Sequence, residues 1–167
     1  MHDNEIKHRY ELFLKEHQDK VYRICQAYAY YPDLTLDVFQ EVLINLWTSW
    51  KSFQGKSKLT TWMYRITVNT VITFNKKEKK FRNKEGSEYT FDLPEDDSTK
   101  KEKIAHEQAL DKMHLAISKL EKEERIIVGL YLEDISYKEI AEVLGTDTNF
   151  VGVKINRIKK KLAAQLA

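Results

Sequence analysis

The chain has 167 residues, of which 42% are hydrophobic and 32% charged, with a net charge of +2, a composition that supports a packed core and excludes wholesale disorder. Its five glycines and two prolines are too few for the turns of a β-sandwich or barrel, and its single cysteine excludes a disulfide framework and a cysteine-based zinc site. No apolar run approaches about 18 residues and the first residues lack the apolar stretch of a signal peptide, so we expect a cytoplasmic protein without membrane insertion.

Residues 5–30 predict the first helix, which ends at a break formed by Tyr31, Pro32 and Asp33. Its core candidates lie on one apolar stripe: Phe13, Val21, Ile24, Cys25 and Tyr28. A second helix follows, with apolar residues that recur at helical spacing: Leu36, Phe39, Leu43, Leu46 and Trp50. Polar residues lie off that second stripe: Asp37, Gln40, Glu41 and Asn45.

Residues 52–58 are polar around Gly55 and predict a loop, after which Thr60 or Thr61 could cap a new helix. Residues 66–74 are rich in β-branched side chains, so propensity alone favours a strand there. We prefer a helix from about residue 59 to about residue 81, because the apolar positions step by three and four and the lysines beyond them suit an exposed helix face.

Residues 83–104 are highly charged and contain Gly86 and Pro94, which indicates a flexible linker. Helical pattern returns from Ala109 to Leu120 and from Arg125 to Leu132. We therefore expect an all-α fold of two small helical domains, at residues 5–82 and 108–165, joined by a linker at 83–107.

The C-terminal segment has the sequence features of a helix-turn-helix. Ser136 and Glu139 fit a capping box, Gly145 stands where a helix end needs a positive φ, and Asp147 can cap the next helix. That last helix has no acidic residue, and its predicted inner face is apolar: Val151, Ile155, Ile158 and Leu162. A structural helical hairpin would share much of this pattern, but the glycine turn and the acid-free second helix favour DNA binding.

Charge is segregated along the chain. Residues 51–84 carry ten basic residues and one acidic residue, residues 148–167 carry five basic and no acidic residues, and the other segments are net negative. A lysine run is often only a solvated helix face, but two such blocks favour two contacts with one polyanion. The histidines are scattered, there is no G-x-x-x-x-G-K-[ST] loop, and Cys25 lies on an apolar stripe, so we expect no catalytic residue, metal or cofactor and interpret Cys25 as an inert core thiol.

Three stretches resemble the extracytoplasmic-function (ECF) group of bacterial sigma-70 factors. Residues 36–47 resemble the helix with which the family binds core RNA polymerase. Phe53-Gln54-Gly55 followed by residues 61–69 resembles the family's "F-x-G … W-L-Y-R-I-A-x-N" run. Residues 120–162, around Ser136-Tyr137-Lys138-Glu139-Ile140-Ala141, resemble the family's C-terminal domain, region 4.

This resemblance implies a promoter-specificity subunit that binds the β′ and β subunits of core RNA polymerase and opens promoter DNA. The implied core-polymerase-binding positions are Asp37, Gln40, Glu41, Asn45 and Trp47, although Trp47 has a second interpretation as core. The implied −10 DNA-binding positions are Gln54, Gly55, Lys56, Ser57, Lys58, Tyr64, Arg65, Asn69, Lys76, Lys77, Lys79, Lys80 and Arg82. The implied −35 DNA-binding positions are Asn149, Phe150, Gly152, Val153, Lys154, Asn156, Arg157, Lys159 and Lys160.

Chemistry assigns different roles within these sets. Asn69 would hold a flipped base, whereas Trp62 is expected as a core anchor. Asn156 and Arg157 are the expected readers of base edges, and the lysines would bind phosphates. Gly152 and Val153 replace a base-facing lysine and serine of the family pattern, so the family's −35 preference is not carried over.

Two further expectations concern partners. The acidic linker residues either follow the polymerase channel or act as a solubilising tether: Glu88, Asp92, Glu95, Asp96 and Asp97. The family resemblance also makes an anti-sigma factor a candidate partner. The alternatives to a sigma factor are an autonomous helix-turn-helix regulator, which would bind intact duplex DNA without polymerase, and a helical enzyme, for which the site residues are missing.

Overall fold

The structure is a computed structural model that describes residues 2–29, 32–85 and 101–167. The first part contains α1 (His2–Tyr28), a short 3-10 helix (Pro32–Leu34), α2 (Thr35–Trp50) and α3 (Leu59–Glu85). The second part contains α4 (Lys101–Ser118), α5 (Lys122–Leu132), α6 (Tyr137–Leu144) and α7 (Thr148–Leu166). No strand occurs in these three ranges, so the all-α fold and the helix preferred over a strand at residues 66–74 are confirmed.

The first domain is a bundle in which α2 packs against both α1 and α3. The core candidates of the first helix are confirmed, because all five are buried, with Val21 and Cys25 fully so. Burial raises the pKa of the Cys25 thiol to about 12, as expected for an inert core thiol. Each large aliphatic side chain buried in this way contributes about 1.5–3 kcal/mol to stability.

The apolar stripe predicted for α2 is confirmed only in part. Leu46 is buried and Phe39 and Trp50 pack against the core, but the buried sector is rotated about the helix axis from the predicted stripe. The fully buried residues are Val38, Val42 and Leu46, whereas Leu36 is 62% exposed. Apolar residues lie on most sides of α2, so periodicity alone allows more than one stripe. Packing between α1 and α3 selects the sector centred on Val42.

Helix ends also differ from the sequence prediction. Helix α3 begins at Leu59, so neither Thr60 nor Thr61 caps it, and Thr61 is buried. Helices α3 and α4 extend into the predicted linker, as far as Glu85 and from Lys101, because the Lys, Glu and Ala residues there are good helix formers. The predicted break at Tyr31, Pro32 and Asp33 agrees with the end of α1 at Tyr28 and with the separate 3-10 helix that begins at Pro32. Tyr31 itself and the acidic linker residues lie outside the described residues.

The second domain places α5, α6 and α7 around one core, with α4 packed on α7. The residues of the predicted inner face of α7 are all buried. The capping box is formed, since Ser136 Oγ accepts from the Glu139 amide (3.2 Å) and the Ser136 amide donates to Glu139 Oε2 (3.4 Å). Gly145 has φ +70°, and Asp147 Oδ1 accepts from the Phe150 amide (2.7 Å), so both predicted helix ends are confirmed.

The two domains are in contact with each other. Helix α1 packs on α5, and α3 packs on α6. None of the helices in the described ranges is long and apolar enough to cross a membrane.

Candidate functional site

Helix α3 carries a polar, cationic face opposite its buried stripe. Val68 and Val71 are buried, while Arg65 and Asn69 are exposed one turn apart and lead to the exposed Lys76. At 1.5 Å per residue, the exposed face from Arg65 to the lysines is roughly 20 Å long. This length and charge suit several consecutive phosphates of a nucleic acid strand.

The loop before α3 lies at the start of this face and is anchored by aromatic rings. Gly55 has φ +69°, a conformation that side-chain-bearing residues rarely adopt. The Phe53 ring packs on Trp62 (centroids 5.2 Å apart), and Trp62 packs on Trp50 (6.0 Å). Trp62 is therefore the core anchor that the sequence predicted. It holds a loop whose exposed residues are Gln54, Gly55, Lys56 and Lys58.

Not every predicted −10 residue is open to solvent. Tyr64 is only 5% exposed, and its burial, followed by the nearby carboxylates of Glu133 and Glu139, raises its pKa to about 12. Arg82 is bound inside its own domain by Glu78 (3.0 Å) and Asp33 (3.3 Å). The structure thus brings the loop, Arg65, Asn69 and the lysines onto one side and directs Tyr64 and Arg82 elsewhere.

Helix α2 presents a mixed polar and apolar face. Of the predicted positions, Asp37, Gln40 and Trp47 are exposed, and Glu41 is half-buried. Asn45 turns toward α3, where its Nδ2 donates to Thr70 Oγ1 (3.0 Å). The Trp47 ring lies 4.9 Å from that of Tyr10 and is still 40% exposed, so this residue both packs and faces solvent.

Sequence reasoning missed two apolar residues of this α2 face. Leu36 and Ile44 are 62% and 63% exposed and stand beside the exposed polar residues. Exposed large aliphatic side chains in a group mark a partner-binding surface. The sequence does indicate such residues, because α2 contains more apolar residues than one buried stripe can accommodate.

The exposed face of α7 is free of acidic residues. Asn149, Val153, Asn156, Arg157 and Lys160 are exposed on it, opposite the buried inner face. A helix that follows a tight turn and presents amide, guanidinium and apolar groups together can read base edges in a major groove.

Three lysines of α7 have partners inside the domain. Lys154 Nζ lies 3.4 Å from Glu123 and over the Phe150 ring, and Lys159 Nζ lies 4.8 Å from the Tyr131 ring centre. Lys161 Nζ donates to the buried Glu124 (2.6 Å). Burial alone would raise the pKa of Glu124, but that hydrogen bond and the Glu121 amide outweigh it and lower the pKa.

The described residues contain no group of three or more His, Cys, Asp or Glu side chains that could hold a metal ion. What the exposed faces offer instead is binding chemistry. Two cationic faces suit nucleic acid, and a third, mixed face suits a protein.

Comparisons with known proteins agree with these surfaces. The sigma-70 region 2 family model matches residues 13–81, and the sigma-70 region 4 model matches residues 110–162. The RNA polymerase sigma factor SigV of Bacillus subtilis (strain 168) is 29% identical over 154 residues, which cover 92% of this chain and 88% of SigV. The ECF sigma factor SigW of the same strain is 26% identical over 158 residues, covering 90% of this chain and 84% of SigW.

Two solved structures share the fold. The sigma factor RpoE in complex with the anti-sigma factor NepR, from Bartonella quintana, has a TM-score of 0.75 at 18% identity and covers 95% of this chain and 96% of that one. CnrH in complex with the cytosolic domain of CnrY has a TM-score of 0.70 at 18% identity, with 96% and 88% covered. With both sigma-70 regions matched in order and with ECF relatives aligned along almost its whole length, the chain belongs to the ECF group of the sigma-70 family, whose members are non-enzymatic initiation factors that bind core RNA polymerase and promoter DNA and direct promoter recognition.

Proposed function

We propose that each of the three exposed faces carries one binding function of a sigma factor. The α2 face binds core polymerase, the loop and polar face of α3 bind the −10 strand, and the exposed face of α7 reads the −35 element. The observation that carries this proposal is that each face stands opposite a buried stripe, so its residues are held in place by the core without contributing to it. The protein acts in the cytoplasm, together with core polymerase.

Core binding rests on the apolar part of the α2 face. Leu36 and Ile44 supply exposed apolar area, and Asp37 and Gln40 supply polar groups around it. An apolar centre with a polar rim is the usual anatomy of a protein interface. The acidic character of the rim suits a basic partner helix.

The −10 role rests on complementary chemistry along α3. The Asn69 amide offers both a donor and an acceptor to the edge of an unpaired base. The exposed lysines lie further along the same face and suit the phosphates of the strand. Contacts of this kind offset the cost of separating the strands, which is a few kcal/mol for a flipped base.

The −35 role rests on the exposed groups of α7. Asn156 and Arg157 have the geometry to read adenine and guanine edges. Val153 is 43% exposed and suits a thymine methyl group in the position where the family pattern has a polar side chain. Lys154 and Lys159 are engaged by Glu123 and Tyr131, so among these lysines Lys160 is the stronger candidate for a phosphate contact.

The proposed division is tested with core polymerase and a promoter selected from random sequence by the reconstituted holoenzyme. Ile44→Glu is expected to abolish co-elution with core polymerase in gel filtration, while Leu166→Glu, an equal change at a residue 45% exposed on α7, is expected to leave it intact. Promoter melting is then followed by permanganate reactivity of unpaired thymines. Normal co-elution of the Ile44→Glu variant would remove the α2 face from the interface.

An anti-sigma partner is a second part of the proposal. The structural neighbour RpoE was solved in complex with the anti-sigma factor NepR, and CnrH was solved in complex with the cytosolic domain of CnrY. We expect a regulator of this class to compete with core polymerase for the α2 face. Co-expression with a candidate regulator is expected to block holoenzyme assembly, and assembly in the presence of a saturating, bound regulator would contradict this.

A further inference from the structure

A cleft lies where the end of α1, the middle of α3 and the start of α5 meet. Its floor is apolar and is formed by side chains from all three helices: Tyr28, Val68, Val71, Ile72 and Ile126. The space between its walls, including the part that is open to solvent, is about 440 Å³. Pockets that bind small ligands are usually about 300–1,000 Å³ in volume and mostly apolar, so the cleft has the size and the floor of a small-molecule site.

The rest of the cleft lining is polar and positively charged. It consists of Asn75, Lys76, Lys122 and Arg125, and none of the described residues that line the cleft is an aspartate or a glutamate. Two lysines and one arginine therefore set the charge of this site at neutral pH. An aliphatic floor with cations at its edge is complementary to an anion that also has an apolar body.

Two of the polar residues are held in place by the end of α1. Arg125 Nη2 donates to the Ala27 carbonyl at 3.4 Å, and Asn75 Nδ2 donates to the Tyr28 carbonyl at 2.9 Å. The last carbonyl groups of a helix carry partial negative charge, and these two hydrogen bonds cap them. The end of α1 is thus made less repulsive to an anion, and the Arg125 guanidinium is fixed at the cleft before any ligand binds.

The start of α5 adds to the positive potential. This helix begins at Lys122, so Lys122 and Arg125 lie within about one turn of its N-terminal end, which carries partial positive charge. The acidic residues of the same turn are Glu123 and Glu124, and they lie 3.4 and 2.6 Å from lysines of α7. The first turn of α5 therefore directs its acidic residues toward α7 and its basic residues toward the cleft.

We propose that this cleft binds a small amphipathic anion. Its alkyl body packs on Val71, Ile72 and Ile126, and its head group, a carboxylate or a phosphate monoester, is bound by the cations at the edge. The ligand contacts both domains, because α1 and α3 belong to the first domain and α5 to the second. Of the lining residues, only Lys76 belongs to a surface proposed above for polymerase or promoter, so this site is additional to those surfaces.

A series of ligands tests the apolar part of the site. Butanoate, hexanoate and octanoate are titrated into the ¹⁵N-labelled protein, and amide chemical shifts give both the affinity and the location of binding. Burial of one methylene group corresponds to about fourfold in affinity, so the affinity is expected to rise by about that factor per methylene until the body fills the floor. The shifts are expected at residues 68–76 and 122–126. Shifts spread over the whole surface, or an affinity independent of chain length, would overturn the proposal.

Ligands with other head groups test the cationic part of the site. Hexanol and hexylamine keep the apolar body without the anion and are expected to bind at least about tenfold more weakly than hexanoate, the usual effect of losing a hydrogen bond to a charged group. Hexyl phosphate shows which anionic head group is preferred. Inorganic phosphate and a short single-stranded oligonucleotide carry the anion without the alkyl body. If either produced the same shifts with an affinity equal to that of hexanoate, the cations would only extend the phosphate-binding face of α3, and the proposal would be rejected.

Matched variants assign the two parts of the site to residues. Lys122→Ala is expected to weaken hexanoate binding about three- to tenfold, whereas Lys122→Arg keeps the charge and is expected to retain most of the affinity. Lys119→Ala removes an exposed lysine just before α5 that does not line the cleft, and it is expected to change nothing. Ile72→Ala is expected to reduce the gain in affinity from butanoate to octanoate, while Leu115→Ala, at an exposed apolar residue outside the cleft, is expected to leave that gain unchanged.

The amide spectrum of each variant also reports whether it is folded, so a loss of binding in a folded variant can be assigned to the site. Hexanoate affinity that is unchanged in Lys122→Ala, together with an unchanged chain-length dependence in Ile72→Ala, would overturn the proposal. These measurements involve neither polymerase nor a promoter, and their outcome is therefore independent of the three binding surfaces proposed above.

Discussion

At the scale of single residues, chemistry and exposure together distinguish a contact residue from a structural one. Asn69 and Asn75 are both amides of α3, but Asn69 is exposed, whereas Asn75 is buried and donates to the Tyr28 carbonyl (2.9 Å). The chemistry of the two side chains does not distinguish them, because each amide offers the same donor and acceptor. Only the position of each residue relative to the core separates the two roles.

Asn69→Ala is expected to weaken open-complex formation by about 1–3 kcal/mol, the usual cost of losing a base-reading side chain. The exposed position predicts an intact fold, so affinity for core polymerase is expected to stay the same. The two quantities are measured by permanganate footprinting and by gel filtration with core polymerase. An equal loss of both would show that Asn69 does not act through a base.

Arg157→Ala is expected to cost about 1–3 kcal/mol of discrimination between −35 sequences, because the guanidinium is exposed on the face of α7 that is proposed to enter the groove. Competition among −35 variants, bound by holoenzyme, gives the measurement. Lys160→Ala is the matched control. Because Lys160 is proposed to contact a phosphate, this substitution is expected to weaken binding to all −35 sequences alike and to reduce the salt dependence of binding. An unchanged preference in the Arg157→Ala variant would reject the assignment.

At the scale of elements, the caps and the turn of the helix-turn-helix could be predicted because they are local. Ser136, Glu139, Gly145 and Asp147 act on backbone groups at most four residues away, and the sequence contains everything that decides them. The orientation of α2 could not be predicted in this way, because two neighbouring helices decide which sector is buried. For this reason the predicted stripe includes Leu36, which is exposed.

Replacement of glycine by alanine is expected to change the stability of the protein in opposite directions at positions 145 and 152. Gly145 has φ +70° at the end of α6, so Gly145→Ala is expected to destabilise the protein by about 1–2 kcal/mol. Gly152 lies inside α7, where a Cβ would meet the Tyr137 ring at 3.7 Å, so Gly152→Ala is expected to stabilise by about 0.5–1 kcal/mol. Urea unfolding followed by circular dichroism measures both, and two changes of the same sign would contradict the argument.

At the scale of the whole molecule, the sequence predicted two domains and their charges but not their contact. Periodicity reports which side of a helix is buried and not which domain covers it. Gly129 illustrates the limit, because a helix-interior glycine has a reason only once Tyr28 of the other domain lies over it. The resemblance names Lys58 and Arg65 as −10 candidates, but only the tertiary structure shows that Glu139 and the Glu142 carbonyl of the second domain bind them.

The contact between the two domains is also expected to depend on pH through Glu139, whose Oε1 lies 3.1 Å from Lys58 Nζ of the first domain. Lys58 holds the pKa of this carboxyl below its ordinary value of 4.5, and the Ser136 amide adds to the effect. A carboxyl whose pKa is lowered by a contact stabilises that contact above its ordinary pKa and loses the stabilisation as the pH falls through the lowered value. The contact between the domains is therefore expected to be stronger at neutral pH and to weaken below about pH 4.5.

Energy transfer between a donor and an acceptor dye attached at Gln18→Cys and Gln165→Cys, recorded from neutral to acidic pH, checks this expectation, because Cys25 is buried and will not label. Circular dichroism on the same samples confirms that both domains stay folded, which matters because Glu124 also has a lowered pKa and stabilises region 4 internally. Glu139→Gln keeps the size and polarity of the side chain but cannot titrate, so the acid-induced decrease is expected to be smaller in that variant. An identical pH profile in the two proteins would show that the Lys58–Glu139 pair does not control the contact between the domains, and that the remaining contacts, such as Arg23 with Glu133, hold them together.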